Sequence, residues 1–497
     1  MSAPATTRLL VGPFNRVEGD LEVQLDVADG QVQSARVHAT MFRGFEAMLV
    51  GKDPLDALVY VPRICGICSV SQSVAAAHAL ADLTGATMPP NGRLALNLML
   101  ATENLADHLT HFYLFFMPDF TREVYAQRPW FAEATRRFAA LAGEHAREAT
   151  AARARWFTML GTLGGRWPHT HSVLPGGSAR PVDMAERLRL LAKVREFRAF
   201  LEHTLFADRL EHIAALDSAS ALQAWWQVAD PMHGDLRCFL TLAHDVGLMK
   251  LGPGPGRYLS HGAYPRFEGG HALAGGVWQA ADPHKGQGQP GVVPFDPSLV
   301  TEDTRHAWLQ GDVPVHPEAG RTEPDPDKPD AYTWNKAPRL QGQVLETGAL
   351  ARQLIDGHPL IRDLEASQGG NAFTRVVARL LELARVVPMM EGWLKALQPG
   401  EPWHVATVLP EQGQGVGLTE AARGALGHWL QVEQGRLRRY QIIAPTSWNF
   451  SPRDAQGQPG ALEQALVGAP VLPGERTPVS VQHIVRSFDP CMVCTVH

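Results

Sequence analysis

The pattern of apolar and polar positions predicts a chain built mainly of helices, preceded by a β-hairpin. Residues 20–40 alternate between apolar and polar side chains on both sides of Asp29-Gly30, a dipeptide typical of tight hairpin turns. Residues 69–83 have helical spacing and end near Gly85, a common residue at helix C-termini. Helical spacing recurs over residues 92–117, 132–160, 183–217, 371–396 and 419–437.

Residues 250–345 have a different character, because they are rich in Gly and Pro and contain only short apolar runs. Such a composition predicts loops and small sheets packed on the helices. We therefore expect an α+β fold, mainly α with peripheral β, whose core is a bundle of long helices. Neither a repeat nor a low-complexity linker separates domains, so we predict one intertwined unit over residues 1–497. Its parts are an N-terminal β region (1–50), a first helical part (51–245), a loop and small-sheet insertion (246–345), and a second helical part with the C-terminal segment (346–497).

Charge and hydropathy exclude several classes of protein. The formal net charge of −6 over 497 residues, without a basic stripe, argues against nucleic-acid binding. The most apolar stretch, residues 94–117, is too polar to span a membrane because it contains Glu103, Asp107, His108 and His111. Residues 1–20 lack the pattern of a secretory signal, so we expect a cytoplasmic protein. Export together with a signal-bearing partner would leave no trace in this chain.

The cysteines give the first indication of chemistry. Four of the five form two Cys-x-x-Cys pairs, Cys65/Cys68 and Cys491/Cys494, at opposite ends of the chain. This spacing lets both sulfurs of a pair face one metal, so we predict that the four thiolates hold one metal centre together. The fifth cysteine, Cys238, lies in an apolar run and is interpreted as a small buried residue.

Several metal or redox sites fit two such pairs. A structural zinc site is the first interpretation, although zinc sites usually join residues that are close in sequence. A redox dithiol would explain one pair but not both. A four-cysteine iron–sulfur cluster is the third alternative. The residues around the cysteines are needed to decide between them.

Those residues belong to a series of motifs that extends over nearly the whole chain. The motifs are residues 15–19 (NRVEG), 43–46 (RGFE), 63–68 (RICGIC), 107–113 (DHLTHFY), 164–169 (GGRWPH), 336–339 (KAPR), 423–428 (RGALGH), 445–449 (PTSWN) and 489–494 (DPCMVC), closed by His497. In this order they resemble the large subunit of nickel–iron hydrogenases. The number and order of the motifs make the resemblance very specific.

The resemblance implies a nickel ion bound by all four cysteine thiolates and an iron atom that carries carbon monoxide and two cyanides. Cys68 and Cys494 would bridge the two metals, and Cys65 and Cys491 would be terminal ligands. Soft sulfur ligands suit such a centre. A terminal thiolate keeps free lone pairs, so it can accept a proton when dihydrogen is split heterolytically.

Residues near the cysteines acquire roles from the positions that they match. Glu18 would accept the proton beyond Cys491, because a partly buried carboxyl has two accessible protonation states. Arg423 would lie over the open metal position and donate to one cyanide, and Thr446 would donate to the other. Asp107 and Asp489 would surround Arg423.

Without the resemblance, the same residues have simpler interpretations. Glu18 would be a surface carboxylate beside Arg16, and Arg423 would form an ion pair on a helix surface. Thr446 would be a turn residue. Asp107 and Asp489 would cap helices or turns.

The resemblance also implies a second metal site near the C-terminus. Its ligands would be Glu46, the backbone carbonyl of Ile442 and the terminal His497. The ion is usually magnesium, although another divalent cation is an alternative, and oxygen donors with water suit such a hard ion.

The chain departs from the common family pattern at three positions close to these residues. Gln72 replaces the usual His four residues after Cys68, Ala106 precedes Asp107, and Ala422 precedes Arg423. None of these changes removes a metal ligand. The change at Gln72 affects the usual hydrogen bond near Cys68, which the amide of glutamine could supply instead.

Two further positions concern gas access. Ile67 and Phe115 stand where most members have Val and Leu, and bulkier side chains there should narrow the path of oxygen to the metals. Together with Gln72 they resemble the hydrogen-sensing, regulatory branch of the family. Ordinary variation of core packing is the alternative.

The cysteine count predicts a partner. Cys238 alone cannot hold a four-thiolate iron–sulfur cluster, so electrons from dihydrogen must leave through another polypeptide. The resemblance implies an iron–sulfur small subunit in an obligate heterodimer, a dimer of such heterodimers, and a sensor histidine kinase as signalling partner. An energy-conserving uptake hydrogenase is the alternative enzyme, and a zinc- or cluster-binding structural subunit is the non-enzyme alternative.

Overall fold

The computed structural model describes residues 7–279 and 290–497. The α-helices are α1 (Phe45–Leu49), α2 (Ala57–Tyr60), α3 (Ser69–Thr84), α4 (Pro90–Thr110), α5 (Phe131–Phe138), α6 (Glu144–Trp156), α7 (Thr158–Gly164), α8 (Met184–Phe200), α9 (Leu210–Ala214), α10 (Ala219–Gln227), α11 (Asp235–Val246), α12 (Ala349–Ile355), α13 (Pro359–Gln368), α14 (Ala372–Ala396), α15 (Pro445–Asn449), α16 (Ala461–Leu466), α17 (Val479–Phe488) and α18 (Met492–Thr495). The strands are β1 (Thr7–Val11), β2 (Leu21–Ala28), β3 (Gln31–Ala39), β4 (Val173–Leu174), β5 (Gly177–Ser178), β6 (Arg257–Ser260), β7 (Ala263–Pro265), β8 (His271–Leu273), β9 (Gly276–Gln279), β10 (Gly291–Val293), β11 (Val300–Asp303), β12 (Ala337–Leu340), β13 (Glu346–Thr347), β14 (Gln412–Ala421), β15 (Gly424–Glu433) and β16 (Arg436–Ile443). The expectation of a mainly helical fold with peripheral strands is confirmed.

The N-terminal hairpin has the predicted form. Strands β2 and β3 pair antiparallel around the Asp29-Gly30 turn, and β1 adds a third strand on the other side of β2. The apolar positions of β2 are buried against α16 and α17 near the C-terminus, because alternation places all of them on one face. This packing brings the two ends of the chain together.

Two long helices run through the largest hydrophobic core. Helix α4 continues into a π-helical turn, His111–Phe116, and α14 is 25 residues long. Asn371 starts α14 with a capping box, since its side chain accepts from the N–H of Thr374, whose hydroxyl accepts in return. The helical predictions over residues 92–117 and 371–396 are confirmed. In the described part of the chain, no helix combines the length and apolar character that a membrane crossing requires.

Helix α3 also matches its prediction and ends at Gly85, whose left-handed backbone (φ 66°) lets it close the helix. One face of α3 lies directly on strand β14. A side chain at Gly417 would collide with the carbonyl oxygen of Ala75, so the contact requires glycine there.

Three of the predicted helical segments differ from the structure. Residues 132–160 form three consecutive short helices, and residues 183–217 are broken by a π-helical turn at Leu201–Leu205. The helix predicted over residues 419–437 is wrong, because this segment belongs to the antiparallel sheet β14-β15-β16. Close packing on α3 and the positive φ of Gly424 (128°) favour the sheet over the helix that the apolar spacing suggested.

The Gly- and Pro-rich region forms small sheets in its described part, as predicted. Strands β10, β9, β6 and β13 make a four-stranded sheet, and β7-β8 and β11-β12 are two-stranded. Within this region, residues 280–289 lie outside the described residues.

We predict that the Glu463→Gln variant changes the pH dependence of thermal stability. Glu463 is fully buried between the hairpin and the C-terminal helices, where it accepts hydrogen bonds from Tyr332 Oη (2.8 Å) and the N–H of Val37 (3.1 Å). Burial raises its pKa from 4.5 to about 7, so its protonated form stabilises the fold. This stabilisation is complete below about pH 4.5 and is lost as the pH rises through 7.

The contribution of Glu463 to stability should therefore fall between about pH 4.5 and about pH 7. Glu463→Gln should reduce this fall by an amount on the order of 3 kcal/mol in the free energy of unfolding. Scanning calorimetry across the pH range measures the effect, with the exposed Glu268→Gln as the control. Equal pH profiles for all three proteins would contradict the prediction.

Candidate metal centre

The four cysteines are placed at the starts of two helices from opposite ends of the chain. Cys65 lies in the loop before α3, and Cys68 is the residue that caps α3. Cys491 caps α18, and Cys494 lies inside that short helix. Cys68 therefore lies at the positive end of the α3 dipole, which favours anionic groups.

The structure brings the two predicted pairs together. All four sulfur atoms lie within 4.8 Å of one another, all four residues are buried, and none forms a disulfide. The Sγ–Sγ distances are 3.5 Å for Cys65–Cys491, 2.9 Å for Cys68–Cys494 and 3.1 Å for Cys491–Cys494. A convergent set of four soft donors without a disulfide fits a thiophilic metal centre.

The protonation of these thiols supports the same conclusion. Hydrogen bonds from Cys491 and the other thiols lower the pKa of Cys65 well below its ordinary value. Hydrogen bonds with the same thiols raise the pKa of Cys68 well above it, and burial raises the pKa of Cys491 and Cys494. The raised pKa values of Cys68, Cys491 and Cys494 disfavour their thiolate forms in this buried place. Four thiolates can coexist in this buried place when metal cations replace the protons.

Arg43 connects the two cysteine loops. Its guanidinium donates to the backbone carbonyls of Arg63 (3.1 Å) and Ile64, and more weakly to that of Val493 (3.5 Å). Its own N–H donates to the carbonyl of Val496 (3.1 Å). The motif at residues 43–46 marked this arginine, but its role could not be inferred from sequence because the carbonyls that it binds carry no sequence signal.

Glu103 is a second residue whose role the sequence did not indicate. Its carboxyl accepts the N–H groups of Val70 (2.8 Å) and Ser71 (2.9 Å), the first turn of α3, and the indole N–H of Trp167 (3.0 Å). Burial nevertheless raises its pKa to about 7. Glu103 thus caps, from α4, the helix that begins at Cys68.

A buried ion-pair network lies beside the sulfurs. Arg423 donates to Asp489 Oδ1 (3.1 Å) and to the carbonyl of Asp489 (2.9 Å), and its Nη1 forms an ion pair with Asp107 Oδ2 at 2.7 Å. The three side chains, which we call the canopy, are at most 3% exposed. Arg423 lies in the turn between β14 and β15, so its interpretation as a residue of a helix surface is wrong.

The two canopy carboxyls are tuned in opposite directions. Burial raises the pKa of Asp107 to about 7, despite the attraction of Arg423. Burial also acts on Asp489, but Arg423, His111 and Arg379 together hold its pKa below the ordinary value. The canopy therefore pairs one firmly ionised carboxylate with one that can exchange a proton near neutral pH.

Glu18 is held against the second cysteine pair by its backbone. Its N–H donates to the carbonyl of Pro490 (3.4 Å), and its carbonyl accepts the N–H of Met492 (2.7 Å). This short parallel bridge places Glu18 next to Cys491. Burial raises the pKa of Glu18, and the negative charge of Cys65 adds to this effect.

Thr446 contacts the same segment. It lies in the first turn of α15, and its hydroxyl oxygen accepts the N–H of Cys491 (3.1 Å). The hydroxyl proton remains available for another acceptor.

The amide of Gln72 contacts a histidine. Gln72 Oε1 lies 2.8 Å from His428 Nε2, and His428 Nδ1 lies 2.8 Å from Tyr440 Oη. Burial lowers the pKa of His428 to about 3, so the ring is neutral and donates from Nε2 to the glutamine oxygen. The amide N–H₂ of Gln72 then points away from His428. Its predicted hydrogen bond to Cys68 stays a prediction.

The three residues expected at the C-terminal cation site lie together in the structure, with Glu46 in contact with both others. Glu46 Oε1 lies 3.1 Å from His497 Nε2, and it also accepts the N–H of Ile442 (2.7 Å). The contact from Ile442 thus comes from its N–H, whereas the resemblance implies its carbonyl. Lys336 Nζ lies 3.0 Å from Glu46 and 3.3 Å from Glu302. The ammonium group already compensates part of the buried negative charge.

The two positions that are predicted to control gas access lie in different elements. Ile67 lies between Cys65 and Cys68 and is partly buried against the main core. Phe115 belongs to the π-helical turn after α4. Its carbonyl accepts a hydrogen bond from Nη1 of Arg16 (2.7 Å), which lies two residues before Glu18 in the chain.

Comparison with known proteins identifies the family. The family model described as nickel-dependent hydrogenase matches residues 43–152 and 123–497. The chain is 30% identical to the periplasmic [NiFeSe] hydrogenase large subunit of Desulfomicrobium baculatum, over 100% of this chain and 96% of that one. It is 26% identical to the uptake hydrogenase large subunit of Rubrivivax gelatinosus, over 99% and 95%.

A solved structure agrees with these relatives. The Ni-Fe-Se hydrogenase from D. vulgaris Hildenborough in the reduced state has a TM-score of 0.83 and 30% identity to this chain, with coverage of 99% of this chain and 100% of that one. Four converging buried cysteines and a match over nearly the full length lead to one conclusion: the chain belongs to the nickel-dependent hydrogenase family, as a large subunit that carries a nickel–iron centre.

Proposed function

We propose that this large subunit splits dihydrogen heterolytically at a nickel–iron centre held by Cys65, Cys68, Cys491 and Cys494, and that it serves a hydrogen-sensing complex. The observation that carries the catalytic part is the convergence of four buried sulfurs beside a buried arginine. When bound, a centre with carbon monoxide and two cyanides on iron would supply the Lewis acidity that makes dihydrogen acidic. Cys68 and Cys494 would bridge the metals, and Cys65 and Cys491 would be terminal.

Proton transfer would follow the bridge between Cys491 and Glu18. A terminal thiolate can accept a proton, and the adjacent carboxyl of Glu18 can relay it because burial has raised its pKa above the ordinary value. The partial exposure of Glu18 gives this group a way to solvent.

The canopy would orient the reacting gas and the small ligands. Asp107 and Asp489 keep the Arg423 guanidinium charged and fixed, so it presents a permanent cation to the site. Arg423 would donate to one cyanide, and the free hydroxyl proton of Thr446 to the other.

A divalent cation, magnesium in the first instance, would sit with Glu46, His497 and the carbonyl of Ile442. Glu302 and Gln441 add oxygen donors around the same place, which suits a hard ion. Lys336 would then move from Glu46 toward Glu302.

The partner would be an iron–sulfur small subunit. Cys238 is completely buried and far in sequence from the other cysteines, so this chain offers no second thiolate cluster. Both relatives are named large subunits, which agrees with a heterodimer. We further propose that two heterodimers associate, that a sensor histidine kinase is the signalling partner, and that the complex is cytoplasmic.

The sensing role rests on Ile67, Phe115 and Gln72. An uptake hydrogenase is the second candidate, and it is favoured by the names of the relatives, which are periplasmic and uptake enzymes. The two roles share one site and differ in turnover rate and in behaviour under oxygen.

We predict that Cys491→Ala abolishes the metal centre. Removal of one of four ligands from a buried site leaves the metals under-coordinated, so nickel should fall below about a tenth of the normal content. Metal analysis and infrared spectroscopy of the purified complex measure nickel, iron and the carbon monoxide and cyanide bands. Cys238→Ala is the matched control and should keep all of them. Zinc without these bands in the unmodified complex would support the non-enzyme alternative instead.

We predict that Glu18→Gln blocks proton transfer while the metal centre stays intact. A glutamine side chain cannot relay a proton, so exchange between dihydrogen and deuterated water should slow by roughly 10²- to 10⁴-fold. Infrared bands should remain near their normal positions. Glu18→Asp should recover part of the rate, and Glu22→Gln, four residues along the chain, should change nothing. Exchange within twofold of normal in Glu18→Gln would contradict this role.

We predict that Ile67→Val combined with Phe115→Leu opens the gas path. The unmodified complex should turn over slowly and retain its activity in air, whereas the double variant should lose activity under oxygen because smaller side chains leave a wider passage. Activity assays at controlled oxygen pressure compare the two. Ile213→Val with Phe138→Leu, both buried elsewhere, controls for general loss of packing. Fast turnover that oxygen stops in the unmodified complex would establish the uptake role.

A further inference from the structure

Arg352 in α12 is a completely buried arginine whose five N–H donors are all used. Its Nε and Nη2 form a two-pronged pair with the Glu382 carboxylate, both at 2.9 Å. Its Nη1 donates to Glu420 Oε2 at 2.8 Å. The remaining donors bind the backbone carbonyls of Ala421 and Ala422, both at 2.9 Å.

Those two carbonyls belong to the turn that carries Arg423. Strand β14 ends at Ala421 and β15 begins at Gly424, and these two residues are paired in register. Only residues 422 and 423 therefore form the tip of the hairpin. Arg352 holds the carbonyls directly before Arg423, so it fixes the point from which the Arg423 side chain extends.

The opposite side of the turn is fixed by backbone contact. Gly424 has a φ of 128°, and a Cβ atom at this position would lie 2.5 Å from the backbone nitrogen of Gly348, the residue before α12. The hairpin turn is thus held between Gly348, at the start of α12, and the guanidinium of Arg352, four residues further along the same helix. This arrangement leaves the tip little freedom to shift.

The same guanidinium is linked to the partner of Arg423. Glu382 also lies 3.1 Å from His108 Nε2, and His108 follows Asp107 on α4. Burial lowers the pKa of His108, so its neutral ring donates to the carboxylate. Arg352 and Glu382 therefore connect the turn bearing Arg423 with the helix bearing Asp107.

We propose that Arg352 is a positioning residue that aligns Arg423 with Asp107 over the metal site. A buried network of one arginine and two glutamates is costly compared with apolar packing, so its retention here is explained by the geometry that it imposes. The inference rests on the proposed role of Arg423. A shift of the Arg423 guanidinium by a fraction of an ångström would change its hydrogen bond to the metal-bound ligand and its place over the reacting gas.

The test is Arg352→Lys in the complete complex. Lysine keeps the charge but has three donors on a single atom, so it cannot hold both glutamates and both carbonyls. We expect normal nickel content, a shift of the cyanide infrared bands, and a loss of dihydrogen turnover of roughly 10- to 100-fold. Arg339→Lys is the matched control, because Arg339 is equally buried and also saturated, with Asp454 and nearby carbonyls. It should lower thermal stability and leave the bands unchanged.

A double-variant cycle separates positioning from general stability. If Arg352 acts through Arg423, Arg352→Lys should add nothing to the band shift or to the loss of turnover in Arg423→Lys. Additive effects would overturn the inference, as would unchanged bands and turnover in Arg352→Lys. An Arg423→Lys variant with unchanged bands and turnover would instead contradict the proposed role of Arg423.

Glu420→Gln supplies a second variant where Arg352→Lys fails to assemble with nickel. Glutamine has the same shape as glutamate but carries no charge. It therefore weakens the interaction with Arg352 Nη1 and leaves the other contacts of Arg352 in place. A smaller cyanide shift in the same direction supports the inference. The absence of any shift overturns it.

Discussion

The structure depends on one constraint, which is that four buried sulfurs from the two ends of the chain must meet at one point. Buried thiolates repel one another, so they require cations in their midst and a scaffold that keeps the loops from separating. The scaffold is visible around both pairs. Arg43 binds carbonyls on either side, and the N-terminal strands pack on the C-terminal helices α16 and α17. Neither end of the chain can form this site alone, so the N-terminal and C-terminal segments must pack on each other to bring the two cysteine pairs together.

The second feature of the site is that its charged side chains are buried, which follows from the burial of the four sulfurs. Around the sulfurs, water is replaced by fixed partners, among them the canopy and the network of Arg352 with Glu382 and Glu420. In such surroundings the balance between burial and charge pairing sets the pKa of a carboxyl. Pairing dominates at Asp489 and Glu382, whose pKa values are lowered, whereas burial dominates at Glu420 and raises its pKa to about 7 although Arg352 pairs with it.

The sequence predicted those structural features that depend on residues close together along the chain. The hairpin at Asp29-Gly30, the end of α3 at Gly85 and the length of α14 all depend on residues close in sequence, and all are confirmed. The segment 419–437 was mistaken for a helix, because its conformation is set by contact with α3, which no local pattern records. The cysteines were found from their spacing and the motifs around them. The roles of Arg43, Glu103 and Arg352 were not, since each acts in large part on backbone groups that every residue possesses.

The catalytic proposal depends on residues of this second kind, which hold the catalytic groups in place. Motifs identify groups that touch the metals, while the accuracy of the site depends on how those groups are held. The guanidinium of Arg423 reaches from a two-residue turn, a short structure that would tilt readily if left unsupported. Its carbonyls are bound by Arg352, and Gly424 rests against the backbone of Gly348. The cation that we propose to lie over the metals is therefore preorganised by α12, by Asp107 on α4 and by Asp489. Electrostatic stabilisation requires this rigidity because a mobile charge would reorient as the reaction proceeds.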